Sequence, residues 1–185
     1  MTGFTDAEGS FMILIRKNPE LRSGWEIRPA FSISLHEKDL FVLEAIKVYF
    51  GGIGRISKHG PFSYMYVVTS VKQLSIIMDH FDNYGLITQK LADYLLFKMA
   101  FEIIKRKAHL SNEGLQTLVA IKASLNLGLS DDLKAAYPDI NPVPRPFVEN
   151  LKVTHPEWMA GFASGDIDLL INSFFYSTII RVVVY

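Results

Sequence analysis

The sequence predicts an α+β domain in which helices cover one face of an antiparallel sheet. Two pairs of period-two apolar runs, each joined by a short loop of turn residues, predict hairpins. Stretches with helical spacing lie between and after them. With 185 residues, 49% of them hydrophobic and 21% charged, the chain can bury one full core with a fragment left over.

The elements follow in order. SFMILIRKN (10–18) turns Phe11, Ile13 and Ile15 to one side, and PELRSG (19–24) breaks the run. WEIRPAFSISLH (25–36) turns Trp25, Ile27, Phe31, Ile33 and Leu35 the same way, completing a hairpin. Pro29 cannot donate to a ladder, so this strand is expected at an edge or bulged. HEKDLFVLEAIKVYF (36–50) is a helix with Leu40, Leu43, Ile46 and Phe50 on one stripe, stopped by GGIG. GRISKHG and FSYMYVVT (54–60 and 62–69) make the second hairpin. Helices are expected over 70–84 with Ser70 as cap, over 85–110 capped near Thr88, over 111–129, and over 130–138. DINPVPRPF (139–147), with three prolines, reads as extended linker. The organisation is therefore an α+β unit at 1–138, a linker at 139–156 and a short further segment at 157–185.

Composition limits the functional classes. The chain has no cysteine, which excludes disulfides and thiolate metal sites and suits an intracellular or organelle-matrix protein. MTGFTDAEG lacks the basic and apolar regions of a secretory signal. Net charge is zero, but residues 1–110 hold 14 Lys plus Arg against 11 Asp plus Glu, and the remainder 5 against 8. The local excess permits a nucleic-acid face on the strand-bearing part. No clean apolar run is long enough to span a membrane, because Asn172, Ser173, Ser177, Thr178 and Arg181 interrupt the C-terminal segment.

GFTDAEG (3–9) aligns with GFASGDI (161–167). The small pairs Gly3/Ala7 and Gly161/Gly165 fall at i,i+4, so each marks one helix face that lets two backbones approach closely. Each helix then ends in an acid, Glu8 or Asp166. Two acids meeting there would repel unless a cation lies between them, and hard ions such as Mg²⁺ take oxygen ligands. Two helix ends whose acids face solvent are the other reading of the same spacing.

TGFTDAEGSF resembles the first signature helix of the LAGLIDADG homing endonuclease family, and WMAGFASGD the second signature of its two-motif, single-chain members. FSISLHEKD, LITQKLADYLLFKMAF and LSDDLKAAYP are similar to the family's intervening text, so the resemblance runs from residue 1 to about 166. It is closest in kind to the fungal organellar type, which implies a mitochondrial location. It also implies αββαββα units with a sheet saddle, and metal-dependent cleavage of both strands of duplex DNA. On that basis Glu8 and Asp166 are the metal-binding catalytic acids, with Mg²⁺ or Mn²⁺ as cofactor. Asp6 supports the partner helix. Lys90, beside Gln89, is the basic residue expected near the scissile phosphate, or else a solvated lysine at a helix start.

The sheet would read the DNA, since a two-stranded ribbon fits the major groove. Alternation turns Ser10, Met12, Leu14, Arg16 and Asn18 outward, then Glu26, Arg28, Ala30, Ser32 and Ser34, then Arg55, Ser57 and His59, and Ser63, Met65, Val67 and Thr69. Arg16, Arg28 and Arg55 are the expected base or phosphate contacts, with Lys58 on phosphate. A polar, solvent-facing sheet side is the alternative.

Two departures from the family pattern stand out. Ile167 replaces the Gly9 equivalent, where a left-handed helix end is expected to favour glycine. Only 18 residues (185 − 167) follow Ile167, and only Met1 and Thr2 precede Gly3. These point to an incomplete second unit and a truncated reading frame, which would favour self-association. Besides the endonuclease, an intron RNA maturase and a non-catalytic DNA-binding remnant remain open.

Overall fold

The computed structural model describes residues 1–149, 153 and 155–166, with Asp166 described through its backbone alone. Ile167 and the apolar segment 169–185 lie outside the described residues. The elements are α1 (Thr2–Glu8), β1 (Gly9–Lys17), β2 (Trp25–His36), α2 (Leu40–Tyr49), β3 (Arg55–Lys58), β4 (Ser63–Val68) and α3 (Val71–Asn83). After them come α4 (Lys90–Lys105), α5 (Asn112–Ser124), α6 (Asp131–Ala136) and α7 (Pro156–Asp166). Short 3-10 turns occupy Glu37–Asp39 and Ala108–Leu110. The strand order is β1-β2-β4-β3. Together these elements make the α+β fold read from periodicity.

The chain packs as two compact units. The first contains residues 1–10, 31–91 and the described part of 149–166. In it β4 pairs antiparallel with β2 from Phe31↔Val68 to His36↔Ser63, and with β3 from Arg55↔Val67 to Lys58↔Tyr64. Its core gathers Phe31, Ile33, Leu43, Ile46, Tyr66, Leu74, Ile77 and Phe81, all at most 2% exposed. The Phe31 ring meets those of Phe81, Phe50 and Tyr66 at centroid distances of 5.8, 6.3 and 6.5 Å. α2 ends as expected at glycine: the N–H groups of Gly51 and Gly52 donate to the Val48 and Lys47 carbonyls, both glycines having positive φ.

The second unit contains residues 11–30 and 92–148. Phe11 packs against Tyr94 and Phe97 of α4 at 5.2 and 5.5 Å, and Leu96, Phe101, Leu118, Val119 and Ile121 are buried in the same unit. Ser111 caps α5 through its Oγ, which accepts from the Gly114 N–H at 3.0 Å. Asn126 lies in the left-handed region at φ 51 and donates through Nδ2 to the Phe11 carbonyl at 2.7 Å.

Four expectations need correction. β2 is a central strand, not an edge. Pro29 precedes the β4 ladder, which begins at Phe31, so its missing donor costs that ladder no bond. The 85–110 helix is shorter, since it starts at Lys90 and breaks where Lys107 turns left-handed at φ 58. Ser70 occupies the N-cap position of α3, but its hydroxyl makes no capping bond; its carbonyl accepts from Leu74. The proline-rich stretch is extended yet fastened within its unit. Val143 donates to the Ala120 carbonyl, Ser124 Oγ donates to the Val143 carbonyl, and Arg145 pairs with Asp93 at 2.7 Å. Prolines removed the donors that would make a strand, but the remaining polar groups still found partners.

Candidate functional site

The site lies in the first unit, where α1 and α7 pack directly against each other. Glycines bring the backbones together. A Cβ on Gly3 would lie 2.0 Å from the Trp158 carbonyl oxygen, and one on Gly161 would lie 3.0 Å from the Phe4 nitrogen. A Cβ on Gly165 would meet Ala7 Cβ at 2.6 Å and Glu8 Cγ at 3.1 Å. Gly3 faces 158–162 while Ala7 and Glu8 face 165, so contacts advance in the same direction along both helices. α1 therefore reaches its last residue, Glu8, beside the final turn of α7. Glu8 Oε1 would lie 3.6 Å from the same Gly165 Cβ, and α7 ends one residue later at Asp166. The side chain of Asp166 lies outside the described residues.

Asp6 is buried and accepts four hydrogen bonds. Its Oδ1 takes the Thr88 hydroxyl at 2.7 Å and the Thr88 N–H at 3.3 Å. Its Oδ2 takes the Ile87 N–H at 3.1 Å and the indole N–H of Trp158 at 2.8 Å. One carboxylate thus satisfies the backbone leading into α4 and reaches α7 as well, as a buried acid requires. Thr88 Oγ1 also accepts from the Lys90 N–H at 3.1 Å. The Lys90 ammonium returns to α1, donating to the carbonyls of Ala7 at 3.4 Å and Gly9. A cation on the last carbonyls of a helix is favourably placed, and here it flanks Glu8 on both sides in sequence.

Gly9 corrects one expectation. Its φ of −73 and ψ of 153 are extended, not left-handed. Glycine is required for space instead, because a Cβ there would come within 2.4 Å of Thr5 Cγ2 and 2.8 Å of the Thr5 carbonyl.

The residues expected to face DNA divide between the units. In the first, Ser34, Arg55 and Lys58 are exposed, while Ser10 and Ser57 are half-buried. Ser34 Oγ donates to the Tyr64 carbonyl at 3.4 Å. Ser32 is only 5% exposed and does not present itself to solvent. Residues 29–33 of β2 are buried without a break, as is its partner Val67, so alternation there separates two covered faces. In the second unit Arg16 is exposed and Met12 and Leu14 are half-buried. Arg28 is exposed but paired with Glu26 at 2.5 Å. Asn18 belongs to the loop beyond β1, its Oδ1 accepting from the Glu20 N–H and its own N–H donating to Gly24. That side chain is spent on its own turn, a common use of Asn.

Two residues that matter to the geometry were not singled out as site residues, Thr88 and Trp158. Trp158 lies three before Gly161 and seven before Gly165, on the glycine face, so the helical period contained the signal. Among the described residues no three His, Asp or Glu side chains cluster as a metal site. Among those residues, too, no helix is long and apolar enough to cross a membrane. Glu8 offers hard oxygen at the end of a tightly packed helix pair, a donor type that fits a divalent ion.

The model of the LAGLIDADG endonuclease family matches residues 1–101. A Neurospora crassa protein named probable intron-encoded endonuclease 3 is 42% identical over 167 residues, covering 89% of this chain and 31% of its own length. Among solved structures, the LAGLIDADG meganuclease I-CpaMI bound to uncleaved DNA superposes with a TM-score of 0.86 at 49% identity, covering 89% of this chain and 56% of that one. The I-SmaMI LAGLIDADG homing endonuclease bound to cleaved DNA gives 0.87 at 48%, covering 89% and 55%. The chain thus spans about a third of the curated relative and little more than half of each solved chain. With its glycine-packed signature helices and a family match over more than half its length, this chain belongs to the LAGLIDADG endonuclease family.

Proposed function

We propose that this chain carries the first half of a site-specific endonuclease of the intron-homing type, acting on double-stranded DNA. The observation that supports it is the close approach of α1 and α7, which sets the Glu8 carboxylate against the last turn of α7. Glu8 and Asp166 would hold Mg²⁺ or Mn²⁺. When bound, such an ion supplies a polarised water and charge stabilisation for phosphodiester hydrolysis. Lys90 has three N–H donors. Two are used on Ala7 and Gly9, which leaves one for an oxygen of the phosphate being cut. The exposed cations Arg16, Arg28, Arg55 and Lys58, with Ser34 and Ser57, form the DNA-facing set. Met12, Leu14, Ser10 and Glu26 flank them, and Ser32 is left out because it is buried. A mitochondrial origin fits the intron-encoded relative.

The test is cleavage of a duplex containing the intron-insertion site, with Mg²⁺ and with EDTA. Metal-dependent double-strand cutting that Glu8→Gln reduces by about 10³-fold or more is the expected result, a loss of several kcal/mol of transition-state stabilisation. Cutting that survives EDTA or Glu8→Gln overturns the assignment. Splicing stimulated without any DNA cleavage would replace it with the maturase reading.

A further inference from the structure

We infer that Thr88 is a positioning residue for Lys90, and that Trp158 acts on the same lysine through Asp6, so that docking of α7 sets where the Lys90 ammonium sits. The connection is continuous. The Trp158 indole N–H donates to Asp6 Oδ2, and Asp6 Oδ1 accepts the Thr88 hydroxyl proton. The same hydroxyl oxygen accepts the Lys90 N–H, at the first residue of α4. The Lys90 side chain then closes the ring on the carbonyls of Ala7 and Gly9, either side of Glu8.

The chemistry explains the residue types. Thr88 must donate to a carboxylate and accept from an amide at once, which a hydroxyl does and a hydrocarbon cannot. With its own donor committed to Asp6, its lone pairs are directed at the Lys90 amide. A lysine stem has four rotatable carbons and loses considerable freedom when its ammonium is held in place. Fixing the backbone of Lys90 at the start of α4 lowers that cost. Asp6 is buried, with the Trp158 donor coming from α7 and three others from residues 87–88. Loss of any one donor shifts the carboxylate and the 87–90 turn together. The consequence is a coupling: the lysine is in place only when the second signature helix is docked. The inference rests on the endonuclease reading for its catalytic meaning, though not for its geometry.

Two measurements on the full chain separate these. The first is the rate at which an amine-selective reagent labels Lys90, read by mass spectrometry against the exposed Lys72. Thr88→Val preserves shape and removes one polar group, while Trp158→Phe removes the indole N–H together with part of the ring and keeps an aromatic face for Phe162. Each should raise Lys90 labelling by about fivefold, the population shift given by one lost hydrogen bond. Thr88→Ser should restore the parental rate, and Lys72 should not change. If Thr88→Val does not fold, Trp158→Phe carries the same test. Unchanged Lys90 labelling in the folded variants overturns the inference.

The second measurement is single-turnover cleavage. Thr88→Val should slow the chemical step about tenfold with duplex affinity unchanged, since the lysine acts in the step rather than in binding. Raised labelling with a parental cleavage rate in Lys90→Ala leaves the relay standing and removes the lysine from the reaction. Loss of affinity and rate in equal measure overturns the positioning role.

Discussion

Gly165 leaves no room for a methyl group, since one there would lie 2.6 Å from the Ala7 Cβ, which cannot swing aside. Gly165→Ala should therefore push α7 away from Glu8 and lower the unfolding free energy by about 1–3 kcal/mol, the usual cost of overpacking. Urea unfolding reads this directly, and an unchanged midpoint would show that the helices do not meet there. His80 makes a second residue-level case. Burial, helped by the positive amino group of Met1, pushes its ring down to about 4 from 6.5. Its Nδ1 and Nε2 meet the Tyr49 hydroxyl at 3.2 Å and Thr2 Oγ1 at 3.4 Å. The folded ring is thus neutral at pH values where the unfolded one is already protonated. Its contribution is complete above pH 6.5 and is lost as pH falls from 6.5 towards 4. Stability should drop by ~3 kcal/mol across that window, and His80→Gln should flatten that part of the pH profile. A His80→Gln slope equal to the parental one would contradict the assignment.

At the scale of elements, the loop between α5 and α6 is the informative piece. Asn126 holds a left-handed backbone and spends its amide on the Phe11 carbonyl of β1, an edge strand. Asn126→Ala loses both the tolerance for positive φ and the bond, for a cost of about 2 kcal/mol. Asn126→Gly should recover the backbone part alone, and equal losses in the two variants would refute the backbone account. Helix limits follow the same logic of local satisfaction. α4 begins where the Thr88 hydroxyl accepts the Lys90 amide, a cap that Thr at that place announced. It ends at Lys105, two residues before the left-handed Lys107 that no propensity scale would choose. The prolines at 142, 144 and 146 suggested a free linker, but the polar groups between them are bonded to α4 and α5, partners that lie far away in sequence.

For the molecule as a whole, net charge is zero, so the proposed binding to DNA would have to come from local cations. Lys58→Ala should weaken binding to all duplexes similarly and reduce the slope of log affinity against log salt by about one. An unaltered salt slope would take Lys58 off the phosphate backbone. Period-two and period-3.6 patterns were enough to establish the α+β class and most element limits, because alternation records burial of a regular backbone wherever one face is covered. The recurrence of GFTDAEG and GFASGDI was likewise enough to mark the helix pair, because close helix contact demands small residues at a set spacing. What needed three dimensions was every question of which distant group fills a given space. Periodicity could not show that β2 is central, that Ser32 is covered, or that Gly9 is constrained by Thr5 rather than by its φ. Nor could it show that Asp6 ties together residues 87–88 and Trp158. Local patterns encode backbone periods, whereas close approaches and shared hydrogen bonds exist only once remote segments have packed.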